Sequence, residues 1–366
     1  MAKPNRRWRI LNKRWWILGA AAICIKILSL FPAAVEKYYS LGVYPVIGRC
    51  LRFLFGWLPF SAGDIFYVAV SLGILYKLIR FFKAIASKRV GRDYFLSVLR
   101  QLALFCLWVY ILFNGLWGLN YNRRGIADQL QLRVHPYSTA ELETILRLVV
   151  DRLNASDSLA RRERGVLTDH RYLFTGAKEA YRDLAMTEPA FSCYPPSIKS
   201  SLFSILGNYL GFGGYYNPFS GEAQVNTTMP VFTLPFTTCH EMGHQLGYAK
   251  ENEANFAGYL SAKSSASPVF RYSVYFELYS YAGRELYERD SNRLKPFRER
   301  LRPGIRQDFN ELRLFYRKYQ NPLEPYIRRL YGNYLKANQQ PQGIMTYNEV
   351  VAWLVAWYER YGAGSV

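Results

Sequence analysis

Thr237-Thr238-Cys239-His240-Glu241-Met242-Gly243-His244-Gln245-Leu246-Gly247 is the stretch on which the reading of this chain turns. Its core is His-Glu-x-x-His. On a helix, residues four apart share one face, so His240 and His244 can aim an imidazole nitrogen at the same metal ion. Glu241 lies about 100° round the helix from His240. It is placed to reach a water on that metal rather than to join the pair. Zinc suits such a site and lowers the pKa of a bound water to about 7, so Glu241 is expected to take the water's proton as it attacks a carbonyl carbon. The whole chain has four histidines, so two at this spacing with Glu after the first is a specific signal. The bland alternative is a buried helix whose histidines bond backbone carbonyls.

Catalytic zinc usually takes three protein ligands, and the third is sought downstream, in Tyr248–Phe256. Gly247 suits a helix C-terminus, letting the chain turn and start a second helix that faces the first. Glu251 and Glu253 are both candidates, and being two apart they cannot both face the metal. Glu251 has Asn255 one turn on along its own face, placed to hydrogen-bond a ligating histidine. Glu251 is preferred on that ground, with Glu253 left open.

The 366 residues carry a formal charge of +20. Residues 1–119 hold 17 Lys/Arg against three acids, Glu36, Asp64 and Asp93, and the rest of the chain is far closer to balance. The excess therefore flanks the apolar runs of the first third, where basic residues set orientation and meet anionic headgroups. No basic-plus-aromatic binding motif appears, which argues against nucleic acid as a partner. The first apolar run, Trp15–Ala34, is long enough for a membrane helix and follows a basic tail, residues 1–14. It is read as a retained anchor rather than a cleaved signal. A second span is expected at about 60–79, around Ile65–Ile79 with Lys77 snorkelling, and a third at Leu102–Leu119. Leu41–Phe60, broken by Arg49, Arg52 and two prolines, is expected to lie at the interface. Six basic residues precede the first span and seven lie between the second and third, so those flanks belong in the cytoplasm and residues 120–366 outside it. Ser138-Thr139-Ala140-Glu141 and Thr346-Tyr347-Asn348-Glu349 are capping-box patterns that predict helix starts. The five cysteines form no metal-binding pair; a Cys193–Cys239 disulfide is conceivable in an oxidising compartment.

His-Glu-x-x-His followed by Glu251-Asn252-Glu253-Ala254-Asn255 resembles the gluzincin class of zinc peptidases, in which a Glu-x-x-(Ala/Ser)-(Asp/Asn) helix supplies the third ligand. The interval from His244 to Glu251 is shorter than is usual there. Gly213–Asn226, His-Glu-x-x-His-Gln and Glu-Asn-Glu-Ala-Asn-Phe together resemble an uncharacterised bacterial family, a domain of unknown function with N-terminal membrane helices and a zincin-like domain. That likeness runs nearly the whole length. It implies an α+β fold, a mostly helical zincin-like domain preceded by three transmembrane helices, in the bacterial cell membrane. It also implies an edge strand upstream of the metal helix that pairs with the substrate backbone, and Gly221, Glu222, Ala223, Gln224, Val225 and Asn226 are placed for it; the alternative is an ordinary hairpin. The oxyanion needs a donor besides zinc, for which Tyr272 and Tyr275, soon after the ligand helix, are candidates. The expected function is hydrolysis of peptide or protein substrates by a zinc enzyme held in membrane lipid. The rival is a membrane sensor or scaffold that keeps zinc to bind peptides without cleaving them.

Overall fold

The computed structural model describes residues 6–343 and 349–366, with side chains from Lys13 onward. The chain is mostly helical. In order it forms α1 (Arg6–Ser29), α2 (Pro32–Ala34), a π-helical segment (Val35–Val43), α3 (Tyr44–Phe55), α4 (Ala62–Ala86), α5 (Arg92–Leu116), α6 (Ile126–Gln129), α7 (Thr139–Glu163) and α8 (His170–Thr187). There follow β1 (Ile198–Ser200), α9 (Ser204–Leu210), β2 (Gly214–Asn217), β3 (Glu222–Val225), α10 (Leu234–Gln245), α11 (Glu251–Ser264) and α12 (Pro268–Arg289). The last four are α13 (Ser291–Arg300), α14 (Pro303–Tyr319), α15 (Glu324–Ala337) and α16 (Val350–Tyr361). The Ser138 capping box is present, with its hydroxyl accepting from Glu141 N and the Glu141 carboxylate accepting from Ser138 N. The second pattern, at Thr346–Glu349, lies outside the described residues except for Glu349.

Two helices among the described residues are long and apolar enough to cross a membrane, α4 and α5, and their apolar stretches are not covered by protein. A third span exists only if the pair Lys13–Ser29 and Pro32–Phe55, bent by 100°, counts as one. α4 runs past the expected run to Ala86, because Lys77, Arg80 and Lys83 are tolerated on a helix end. α5 starts at Arg92 and stops at Leu116, so Trp117 and Leu119, expected inside the third span, are instead buried in protein. α3 turns Tyr44, Gly48 and Arg52 inward and leaves Val46, Phe53 and Leu54 exposed. That is the pattern of an interfacial helix docked on a protein surface.

The main core is helical. Leu142, Ile145, Leu146, Val149, Val150 and Leu153 recur at helical spacing on α7 and bury against α12, with α8, α10, α11 and α16 completing the cluster. A second, smaller core joins the first third of the chain to the rest: Val35, Tyr39, Tyr44, Trp117, Leu119 and Tyr121 pack with Tyr216 and Ala249. The sheet has the order β1-β3-β2, with β1 parallel and β2 antiparallel to β3.

The sheet corrects one expectation. β3 is the central strand, paired on both sides and wholly buried, so Gly221–Asn226 offers no edge to a substrate. The short β1, Ile198–Ser200, has no alternating apolar pattern to announce it, and it covers the edge that was expected to be open. The side chains of this segment hold the membrane region instead. The Glu222 carboxylate accepts from Ala62 N (3.3 Å) and Gly63 N (2.8 Å), the orphan donors that begin α4. Gln224 meets Ser61 Oγ at 2.8 Å, Gly221 packs on Leu51 and Arg52, and Asn226 bonds Asn208. Asp64 on α4 accepts in turn from Leu202 N (2.7 Å) and the Tyr215 hydroxyl. The five cysteines are free.

The end of α10 is tied to the same region. Tyr44 donates to Gln245 O at 2.9 Å and Trp117 Nε1 to His244 O at 3.1 Å. Removing one donor from a buried carbonyl costs about 1–3 kcal/mol. Tyr44→Phe is therefore expected to lower the thermal unfolding midpoint of the full chain in detergent, whereas Tyr38→Phe, at an exposed tyrosine of the preceding segment, leaves it unchanged. Equal midpoints for both variants would show that this bond does not hold the two parts together.

Candidate metal site

α10 ends at Gln245, and Gly247 just beyond it has a φ of +82°, the left-handed turn that lets α11 double back. Small residues, Gly243 facing Ala254 and Ala257, and Gly258 facing the His240 backbone, line the seam and let the two helices approach closely. The first turn of α11 thereby comes over the histidine face. His240, His244 and Glu251 are all buried, and one ligand atom from each lies within 4.8 Å of the others. His240 Nε2 is 3.2 Å and His244 Nε2 3.8 Å from Glu251 Oε2.

The other imidazole nitrogens are occupied. His244 Nδ1 donates to Tyr248 O and His240 Nδ1 bonds Asn255 Oδ1, each at 2.7 Å. Those bonds fix the tautomers that aim the Nε2 lone pairs at one point. Asn255 thus sits where its spacing from Glu251 placed it. Glu253 points the other way. It is buried beside Lys250 and against Gly125, where a Cβ would come within 2.0 Å of its carboxylate.

Electrostatics separate the carboxylates. Burial alone would raise the Glu251 carboxyl, but the two imidazoles facing it hold it well below the usual carboxylate range. Burial lowers the His244 imidazole, and the Glu251 carboxylate more than offsets this, lifting it to about 9. Burial pushes Glu241 up to about 7 against the pull of both histidines. Glu241 packs on β2 at Gly214, where a Cβ would lie 2.6 Å from its Oε1, so only glycine leaves the carboxylate its place. Among the described residues Glu241 Oε2 has no hydrogen-bond partner, and Glu251 Oε2 faces the two Nε2 atoms. Buried carboxylate oxygens without donors are costly in a protein alone. A tetrahedral zinc with bonds of about 2.0–2.1 Å sets its ligand atoms about 3.4 Å apart, between the two distances measured here. Two imidazoles, which give up their Nε2 protons when a metal takes the place, and a carboxylate fit zinc by position and by donor type.

Two expected residues are elsewhere. Tyr272 donates to the Asp308 carboxylate, which Arg164 and Arg161 also hold, so its hydroxyl is committed to fastening α14 to α12. Tyr275 is buried in the main core, with Arg152 and Arg271 as its charged neighbours. Neither is brought to the histidines. The tyrosine at the site is Tyr331 on α15, which donates to Glu251 Oε1 at 2.8 Å. Glu277 and Tyr281, one turn apart on α12, lie within electrostatic reach of His240 and Glu251 respectively. With 30 tyrosines in the chain, nothing in the sequence marks Tyr331. Gly214 falls within the Gly213–Asn226 stretch, but nothing in the sequence marks it as the neighbour of Glu241.

The fold and site define a mostly helical protein with two to three helices able to span a membrane and a buried His-His-Glu group suited to a metal. The chain belongs to the family described as Protein of unknown function (DUF3810), whose model matches residues 39–355. No curated protein and no solved structure matches it.

If these residues hold zinc, the full chain is expected to bind about one ion, lost in His240→Ala and in His244→Ala. Glu251→Gln should weaken retention far more than Glu253→Gln, and Asn255→Ala should weaken it by about 10- to 100-fold. Metal analysis after dialysis checks this; stoichiometric zinc in both histidine variants would remove the assignment.

Proposed function

We propose that this chain is a membrane-anchored zinc metallopeptidase, with His240, His244 and Glu251 holding the metal and Glu241 acting as general base. The observation that carries the reading is Glu241 itself. A structural zinc site needs its ligands and nothing more, whereas here a fourth buried side chain, the Glu241 carboxyl, lies against the site with one oxygen unpartnered among the described residues. Zinc, when bound, would polarise the scissile carbonyl and make an attacking water more acidic. The Glu241 carboxyl, which burial raises above the usual carboxylate range, is placed to take that proton and return it to the departing amine. Tyr331 and Asn255 orient the ligands rather than the substrate. For an extended polypeptide the strand to pair with is β2, at the sheet edge, where Gly214 abuts Glu241. The basic loop between α4 and α5 lies at the ends of those helices remote from Ser61 and Trp117, which supports an extracytoplasmic site.

Glu241→Gln keeps the shape and removes the basicity. The variant is expected to fold, insert and retain zinc, yet to cleave an unbiased peptide mixture at least ~100-fold more slowly, with new termini identified by mass spectrometry. Equal cleavage by both forms would remove Glu241 from the mechanism. Peptide binding without cleavage by the zinc-loaded wild type would favour a sensor over an enzyme.

A further inference from the structure

Two short helices of the C-terminal part carry apolar faces that no described residue covers. On α9 and the residue pair before it, Leu202, Ile205, Leu206 and Tyr209 recur at helical spacing, with Leu202 60% and Ile205 64% exposed. On α15 and its N-cap, Leu323, Tyr326 and Leu330 form a second stripe, each 65–70% exposed. The stripes belong together, since Asn321, just before α15, donates to Tyr209 O at 2.8 Å. Monomeric soluble proteins seldom expose contiguous apolar surface of this kind.

Leu202 N donates to Asp64 in the first turn of α4, and the Tyr67 hydroxyl, one turn further along α4, lies within electrostatic reach of Tyr334 on α15. The two stripes therefore adjoin the point where α4 leaves the protein, and they continue the apolar surface of a helix fit to cross a bilayer. Phe66, Tyr67, Phe219 and Tyr215 cluster there, with ring centroids 5.1–6.5 Å apart, as aromatic residues do at membrane interfaces. The other side of α15 carries Arg328, Arg329 and Lys336, the charge distribution of a helix lying among anionic headgroups.

We propose that the apolar faces of α9 and α15 are immersed in the surface of the same bilayer that α4 and α5 cross, so that the His-His-Glu site is approached from the lipid surface. The site lies directly behind α15. Tyr331 follows Leu330 on α15 and reaches Glu251. A small cavity between α9 and α14 is lined by Gly207, Gly211, Phe212, Gly213 and Tyr316, and Gly213 is the chain neighbour of Gly214, which abuts Glu241. On the metallopeptidase reading, on which this last step rests, the substrates are polypeptides that are themselves attached to the membrane by a lipid or a hydrophobic segment.

The test uses the full chain in vesicles of phosphatidylethanolamine and phosphatidylglycerol containing spin-labelled lipid. An environment-sensitive fluorescent amino acid is placed at Ile205, at Leu330, or at Arg328, which lies about 200° round α15 from Leu330. Quenching at 205 and 330 at least ~2-fold stronger than at 328 is expected; equal quenching at all three would overturn the immersion and point to a protein partner instead. In the same vesicles an unbiased peptide mixture is supplied free or N-terminally palmitoylated. Cleavage of the palmitoylated set at least ~10-fold faster is expected, with the advantage lost in Ile205→Glu/Leu330→Glu; equal rates would overturn entry from the lipid. Cleavage of neither set would count against the peptidase reading, and quenching alone would then decide the immersion.

Discussion

The last carbonyls of a helix have no partner within it, and those of α10 are satisfied by the membrane-proximal part of the chain. Tyr44 and Trp117 cap His244 and Gln245, Arg52 reaches Gln245 O at 3.4 Å, and Arg123 reaches Gly247 O at 3.3 Å. Arg123 is itself clamped by Glu36 at 2.6 and 2.9 Å, across almost the whole first third of the sequence. Cations and donors at a helix C-terminus also favour its dipole. The helix that carries both histidines is therefore finished by residues 36–123. Residues 120–366 by themselves would leave Gln245 O without the Tyr44 and Arg52 donors it has here and would lack five of the eight buried residues of the second core. Anchor and site form one mechanical unit, and Glu222 on the start of α4 repeats the arrangement from the sheet side.

Around that fixed helix, burial does the electrostatic work. Glu241, Glu251 and Glu253 are all buried within a short stretch of chain, yet their surroundings push them apart. Glu251 faces two imidazoles and stays ionised, while burial raises Glu241 and Glu253. Neighbouring acids driven in opposite directions are the usual means by which one site assigns the roles of ligand and base. The close seam between α10 and α11 is what places Glu251 over the histidines despite the short connection. The interval is short because Gly247 and three following residues suffice when the helices nearly touch.

The histidine pair, the acid Glu241 beside it and the helix starts near Ser138 and Glu251 were legible in the sequence, because helical spacing and capping are local. Asn255 was legible for the same reason. What could not be read depends on long-range pairing. β1 is three residues with no pattern of its own, and it alone turns β3 from an edge into a centre. Tyr272 and Tyr275 stood close in sequence to the ligand helix, but α12 packs on α7 and points them into the core and toward Asp308. Tyr331 comes from 80 residues beyond Glu251. Hydropathy located the apolar runs but not their ends, since Trp117 and Leu119 are as apolar in a protein core as in lipid.

The most direct test of this account is X-ray absorption at the zinc edge on the full-length, zinc-loaded protein in detergent. Two imidazole nitrogens and a carboxylate oxygen predict a first shell of nitrogen and oxygen at about 2.0–2.2 Å with imidazole scattering beyond it, and room for one further light atom. A shell containing sulfur at about 2.3 Å, or zinc bound without imidazole scattering, would contradict the site and with it the function proposed from it.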